Sequence, residues 1–289
     1  MHEDRRVGLA DGALLLVLGA IWGASFLFMR LAAPAFGPIG LIAVRVSIAG
    51  VFLVLLAMVQ GVGRDLWRYP WRMLVVGLTN SAIPYCLFAY ATLDMTAGFA
   101  SILNATAPFF GALIAAWVLK DRLSFQKWMG LAVGFLGVCI LVTSQRAVEG
   151  GWKGVTACLV AACLYAIAAH YSKRQLRDVA PMAIAASSQV ASTLVLLPLA
   201  ILYWPPVSPG WNPWLAATML GLLCTGGALA IYFKLLQSMG AMPSMAVAYL
   251  IPLFGVLWGV LFLGESLQWS LLFGGSLILL GLYSITTAK

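Results

Sequence analysis

The sequence predicts an all-α integral membrane protein whose ten transmembrane helices form two inverted five-helix repeats around a central cavity. Three observations lead to this prediction. Of the 289 residues, 63% are hydrophobic and only 9% are charged, whereas soluble domains carry roughly 25% charged residues. The apolar runs are continuous rather than alternating, which favours helices over strands. One proline-containing apolar sequence also occurs twice, half a chain apart.

Each apolar run is long enough to cross a membrane as one helix, because about 20 apolar residues span a hydrocarbon core of roughly 30 Å. Backbone groups in lipid must pair within the protein, and a helix meets this requirement within one segment. The predicted spans are 11–33, 38–60, 71–93, 97–119, 125–145, 152–173, 181–204, 213–238, 242–263 and 268–287. The short connections between them leave little room for a soluble domain.

Basic residues are unevenly distributed over the connections, and this asymmetry predicts the orientation. With a cytoplasmic N-terminus, the inside segments hold twelve Lys and Arg residues, and the outside connections hold two, Arg146 and Lys153. Positive residues concentrate on the cytoplasmic side of membrane proteins. We therefore expect both termini in the cytoplasm. The net charge of +8 is then a signature of topology and does not indicate nucleic-acid binding.

The repeat is clearest in segments 107–123 (APFFGALIAAWVLKDRL) and 251–267 (IPLFGVLWGVLFLGESL). Residues 144 positions apart match in both segments and beyond them: Pro108 and Pro252, Phe110 and Phe254, Gly111 and Gly255, Asp121 and Glu265, Leu123 and Leu267, Gly130 and Gly274, Gly137 and Gly281, with Arg45 opposite Gln189 and Phe88 opposite Tyr232. Each copy holds five spans, an odd number, so the second enters the membrane from the opposite side, as in many secondary transporters. The predicted repeats are 11–145 and 152–287.

The duplicated proline helix, the ten spans and the five-plus-five arrangement resemble the drug/metabolite transporter superfamily, specifically its EamA-domain members. The resemblance covers about residues 11–287, with one domain in each half. It implies a multi-pass protein of the bacterial inner membrane that exports amino acids, aromatic or hydrophobic ones favoured, or related metabolites. Export of another small solute, such as an amphipathic drug or a nucleoside-type metabolite, stays open as an alternative.

Polar residues within the spans are candidates for substrate binding, because a charge at mid-bilayer costs at least ~2.5–3.5 kcal/mol. Arg45 is the clearest case, and two interpretations are open: attraction of a carboxylate, or an interhelical hydrogen bond. In a continuous helix, Ser101, Asn104 and Pro108 share one face, and Pro108 frees a backbone carbonyl near Asn104. Aromatic residues in the spans can stack on a ring or hold an amino group.

The predicted substrate-binding residues are Trp22, Phe26, Arg45, Asn80, Tyr85, Tyr90, Ser101, Asn104, Tyr165, Gln189, Tyr232 and Tyr249, with Pro108 and Pro252 as hinges. No acidic residue lies deep in a span, whereas the small multidrug pumps, distant relatives in this resemblance, carry a glutamate in their first span. We therefore expect facilitated diffusion or exchange without a proton-coupling carboxylate. Asp121 and Glu265 are expected to cap the helix that follows each of them.

Motifs of intramembrane enzymes such as G-x-S-x-G and H-E-x-x-H are absent from the sequence. We therefore expect neither enzymatic activity nor a cofactor or metal. The expected partners are a small-molecule substrate and the lipid bilayer, and the expected assembly is a monomer or a weak dimer.

Overall fold

Helices make up nearly all of the structure, because lipid offers the backbone no hydrogen-bonding partners. The computed structural model describes residues 9–118, 123–145 and 151–287, and these contain no β-strand. Eight helical stretches are long and apolar enough to cross a membrane, and a ninth, Val247–Leu263, is somewhat shorter. The predicted cap at Asp121 lies outside the described residues.

The helices follow the predicted spans to within a few residues. Their bounds are α1 Leu9–Val59, α2 Pro70–Gly77, α3 Ile83–Asp94, α4 Ala97–Asn104, α5 Ala107–Trp117, α6 Phe125–Gln145, α7 Gly151–Gln175, α8 Pro181–Leu202, α9 Trp211–Gly221, α10 Ala228–Met239, α11 Ala241–Ser244, α12 Val247–Leu263 and α13 Trp269–Thr287. A short 3₁₀ helix, Gly63–Trp67, joins α1 to α2.

Helix α1 contains a sharp break at Gly37. With 51 residues, α1 would be about 76 Å long if straight, more than twice the thickness of a bilayer core. Gly37 has φ 68° and ψ 158°, a conformation open to glycine because it has no Cβ. Pro34 and Pro38 flank it. The break falls between the first two predicted spans, 11–33 and 38–60.

Two π-helical segments, which the sequence analysis did not predict, join consecutive α-helices. Leu78–Ala82 lies between α2 and α3, and Leu222–Gly227 lies between α9 and α10. Their first residues are 144 positions apart, the offset of the sequence repeat. Such segments commonly occur at functional sites. Here they turn Ser81 and Thr225 toward a facing helix, as described below.

The two proline-containing spans are interrupted, but not in the way that a shared proline bend predicts. In the first copy, α4 ends at Asn104, and Pro108 lies in the first turn of α5, where its missing N–H needs no partner. In the second copy the interruption lies between α11 and α12, whereas Pro252 is buried inside α12. The expectation that Ser101, Asn104 and Pro108 share one face assumed a continuous helix, and the interruption after Asn104 removes that assumption.

Glu265 caps a helix, but not the helix that follows it. Its Oε1 accepts a hydrogen bond of 2.7 Å from the backbone N–H of Ala97, and its Oε2 accepts one of 3.2 Å from Gly98. The Thr96 side chain accepts from the next N–H group, that of Phe99. A carboxylate is favourable at the N-terminus of a helix, where N–H groups lack intrahelical partners. The predicted cap of α13 is therefore corrected to a cap of α4.

Side chains also join connections that the predicted topology places on one side of the membrane. The Arg68 guanidinium is 3.0 Å from the Asp178 carboxylate, and the Tyr69 hydroxyl donates to the same carboxylate at 2.9 Å. The Tyr69 hydrogen bond is the main reason that the pKa of Asp178 is lowered, and Arg68 contributes in the same direction. On the opposite side, Phe36 packs edge-on against Trp214, with ring centroids 4.9 Å apart.

Helices α6 and α13 pack closely through glycines. A Cβ on Gly281 would lie 2.5 Å from the Gly130 carbonyl oxygen, and one on Gly137 would lie 2.6 Å from the Gly274 carbonyl oxygen. These two contacts are equivalent under the repeat: position 130 corresponds to 274 and position 137 to 281, so the first contact in one copy is the second contact in the other. The two helices therefore approach as closely as backbone atoms allow.

We expect Gly281→Ala to destabilise the protein by about 1–3 kcal/mol, because the backbone of α6 cannot yield easily to the added methyl group. Thermal unfolding in detergent measures the change. Gly12→Ala is the matched control, because a Cβ at Gly12 meets no atom within 4 Å. Equal melting temperatures for both variants would contradict the close packing of α6 against α13.

Candidate binding cavity

A cavity of about 430 Å³ lies at the centre of the helices, where the two interrupted spans meet. Its size is within the range of small-molecule sites, roughly 300–1,000 Å³. The wall includes Asn104 and Pro108 at the α4–α5 interruption, and Met245 and Val247 at the α11–α12 interruption. Discontinuous helices near the membrane midplane form the substrate sites of many transporters.

The structure brings most of the predicted binding residues to this cavity. They come from α1, from the π-helical segment before α3, and from α3, α4, α7 and α10. The predicted residues that line it are Trp22, Phe26, Arg45, Asn80, Tyr85, Asn104, Tyr165 and Tyr232, together with the predicted hinge Pro108.

Five predicted residues do not line the cavity. Ser101 is fully buried and donates to the Gly98 carbonyl within its own helix. Tyr249 pairs its hydroxyl with the Thr286 hydroxyl. Tyr90 is 37% exposed and is not part of the cavity lining, so it faces outward from the helix bundle. The other two are Gln189 and Pro252, which are both buried between helices.

Aromatic rings form two groups on the cavity wall. Trp22 of α1 and Tyr232 of α10 have ring centroids 5.4 Å apart. Phe88 of α3 stacks on Tyr165 of α7 at 5.9 Å and receives Phe26 edge-on at 5.6 Å. Because each ring is held by a neighbouring ring, the walls are preorganised for an apolar or aromatic solute.

Arg45 is the only charged side chain among the described residues that line this cavity, and only 4% of its surface is exposed. Its Nε donates to the Thr225 hydroxyl at 2.9 Å. Its guanidinium carbon lies 3.6 Å from the centroid of the Tyr85 ring, and Nη1 approaches the Met29 sulfur at 3.9 Å. One edge of the guanidinium therefore makes the interhelical hydrogen bond, and because the group also borders the cavity, attraction of a carboxylate stays a prediction.

Gln189, the repeat counterpart of Arg45, makes the corresponding hydrogen bond in the other half. Its Nε2 donates to the Ser81 hydroxyl at 2.9 Å. Ser81 is the repeat counterpart of Thr225, so the two bonds exchange under the 144-residue offset. The difference is that Gln189 is 1% exposed and sealed against the π-helical segment, whereas Arg45 borders the cavity.

The sequence analysis did not predict several residues that line the cavity, although helical spacing could have identified some of them. Ser25 and Met29 lie at i+3 and i+7 from Trp22, on the face that already holds Phe26. Thr225 is the repeat counterpart of Ser81, but the sequence analysis singled out neither residue. Cys224, Leu229 and the alanines at the helix interruptions carry no comparable signal.

Among the described residues, none of those lining the cavity is acidic. Asp11 accepts from Ser238 near the start of α1, and Glu265 holds the start of α4. Asp65 and Asp178 lie beside Arg68 in the connections. The cavity therefore carries a positive charge from Arg45 that no carboxylate in the described part of the chain offsets.

We expect Thr225→Val to lower the free energy of unfolding by about 1–3 kcal/mol, because the buried Nε–H of Arg45 loses its acceptor. Unfolding in detergent measures the change. Thr156→Val is the matched control: Thr156 is exposed, and its hydroxyl donates only to the carbonyl of Trp152 in the same helix. The Thr225 hydroxyl makes a similar local bond to the Leu220 carbonyl, in addition to its contact with Arg45. Equal losses in both variants would show that the Arg45 contact adds nothing.

Comparisons with known proteins place the chain among membrane transporters. The model of the EamA-like transporter family matches residues 11–143 and again 152–287. The chain is 28% identical to a probable terminal-alkyne amino-acid exporter of Streptantibioticus cattleyicolor, over 96% of this chain and 94% of the relative. It is 25% identical to the uncharacterized inner membrane transporter YedA of Escherichia coli K12, over 88% of this chain and 83% of the relative.

The fold is shared with solved structures, among them a protein crystal structure. The TM-score is 0.69, the sequence identity is 19%, and the match covers 96% of this chain and 97% of the other. At this identity the likeness concerns the fold alone.

Proposed function

The chain belongs to the EamA-like transporter family, and on that basis we propose that it exports amino acids, with aromatic and hydrophobic ones favoured. It is a multi-pass membrane protein, and its role is that of a transporter rather than an enzyme, since its relatives are named as exporters or transporters. The observation that carries the proposal is the central cavity, which combines aromatic walls with one buried cation and two amide side chains, Asn80 and Asn104. An amphipathic zwitterion matches these groups.

The proposed mechanism is alternating access by two inverted five-helix repeats, 11–145 and 152–287. Three features support it. The family model matches the chain twice, in segments close to these bounds. Among the described residues, the two segments of α1 counted separately and the other apolar helices are ten in number, which is the number of crossings that the proposal requires. The bonds Arg45–Thr225 and Gln189–Ser81 exchange under the repeat offset, as expected when a two-fold axis in the membrane plane relates the halves.

The proposed setting is the bacterial inner membrane, with both termini in the cytoplasm. The relative from Escherichia coli is named an inner membrane transporter, and the distribution of basic residues favours this orientation. We expect the protein to act as a monomer or a weak dimer.

Transport is proposed to proceed by facilitated diffusion or exchange. A proton-coupled antiporter needs a titratable carboxylate that both substrate and proton can reach, and the described residues lining the cavity include none. The substrate gradient then supplies the driving force.

Purified protein in liposomes should release preloaded phenylalanine faster than protein-free liposomes, with the same rate in the presence and absence of a pH gradient. Release no faster than from protein-free liposomes would rule out amino-acid export of this kind. Movement of cationic amphipathic drugs or nucleosides in its place would establish the alternative substrate class.

We expect Trp22→Ala and Asn104→Ala each to weaken the apparent affinity for phenylalanine by about 2- to 10-fold, the value of one aromatic contact or hydrogen bond. Initial rates in liposomes over a range of phenylalanine concentrations measure the effect. Trp269→Ala and Asn212→Ala are matched controls, because both residues are exposed and away from the cavity. If all four variants behave alike, Trp22 and Asn104 do not contact the substrate.

A further inference from the structure

Arg45 carries a buried positive charge for which the described residues provide no anion. The ion pairs of the described residues involve Arg68, and none of their carboxylates lies within 4 Å of Arg45. An unpaired charge at membrane depth is strongly unfavourable. The Tyr85 ring offsets part of this cost through a cation–π contact, but a ring does not neutralise the charge.

The guanidinium also has hydrogen-bonding capacity left over. It has five N–H donors; Nε is occupied by Thr225, and the approach of Nη1 to the Met29 sulfur is a weak contact. The Nη2 donors have no partner among the described residues. A carboxylate can accept two N–H groups of a guanidinium side by side, which is the strongest pairing available to this group.

A second polar group on the same wall also lacks a strong hydrogen-bonding partner. Ser25 borders the cavity and is 5% exposed, and among the described residues its hydroxyl pairs with no nitrogen or oxygen atom; the group near it is the weakly hydrogen-bonding thiol of Cys224. It lies one helical turn before Met29, the residue that contacts the guanidinium. A buried hydroxyl without a strong hydrogen-bonding partner is unfavourable, so it marks a position where a ligand oxygen can bind.

We propose that Arg45, assisted by Ser25, is the carboxylate-binding subsite of the cavity, and that the substrate must carry a carboxylate next to an apolar or aromatic group. The proposal rests on the transport function proposed above and names its substrate class. A substrate carboxylate neutralises Arg45 while the aromatic walls hold the remainder. An amine without a carboxylate brings a second positive charge beside Arg45, and the cavity therefore rejects cationic amphipathic drugs.

The internal repeat supplies a variant suited to testing this role. Arg45→Gln makes the position identical to its counterpart Gln189, whose amide already donates to a hydroxyl in the equivalent place. The variant retains a donor toward Thr225 and loses only the positive charge and the second edge of the guanidinium. Arg30→Gln is the matched control, because Arg30 lies outside the cavity lining and donates to the Thr92 and Leu93 carbonyls.

Ligand binding is measured by thermal stabilisation of the full-length protein in detergent, with three probes that share a phenyl ring. Phenylalanine and 3-phenylpropionate carry a carboxylate, and phenethylamine does not. Wild-type protein and Arg30→Gln should be stabilised by the first two probes and not by the third. Arg45→Gln should bind both carboxylates about 10- to 100-fold more weakly, the value of a charge-assisted pair, and Arg45→Lys should bind them with intermediate affinity.

Two outcomes would overturn the proposal: equal stabilisation of the wild type by phenethylamine and phenylalanine, or no stabilisation by any carboxylate probe. The wild-type series decides this even when a variant fails to fold. A third contrary outcome is undiminished carboxylate binding by a folded Arg45→Gln protein. Because binding is measured apart from flux, carboxylate binding without phenylalanine release from liposomes would reject amino-acid export while retaining the subsite.

Discussion

The contact between Arg45 and Thr225 joins the two halves of the protein at membrane depth, and much of the local architecture depends on it. A buried guanidinium needs an acceptor, and Thr225 provides one from the π-helical segment of the other half. The acceptor reaches this position because α9 approaches closely: a Cβ on Gly221 would lie 2.9 Å from the Arg45 carbonyl oxygen. Arg45 also borders the cavity, and its Nη2 donors have no partner among the described residues.

Irregular backbone is concentrated around the same cavity. Within a membrane, non-helical segments are tolerated where protein or a water-filled cavity surrounds them, and both the α4–α5 and the α11–α12 interruptions meet this condition. Glu265 stabilises the start of α4 from the opposite half, so that this short helix is anchored at its outer end while its inner end borders the cavity. Longer helices thus surround a small cavity-lining region, formed by the α4–α5 and α11–α12 interruptions, in which the two halves differ in structure.

The sequence was sufficient for the apolar helices, because hydrophobic length is a local signal. Trp22 and Phe26 were found because a helical face places them together. Other features depend on tertiary contacts: the π-helical segments arise where a facing helix supplies Ser81 or Thr225 with a partner, and Glu265 caps a helix 168 residues away. The repeat paired Arg45 with Gln189, but only packing shows which of them borders the cavity.

In the proposed binding mode, a substrate carboxylate neutralises Arg45 between the two halves. An experimental structure with bound phenylalanine reveals whether this pairing forms. We expect a carboxylate oxygen within about 3.2 Å of the Arg45 terminal nitrogens, with the phenyl ring against the aromatic wall and the Nε–Thr225 bond intact. A ligand bound in the cavity with its carboxylate turned away from Arg45 would refute this binding mode.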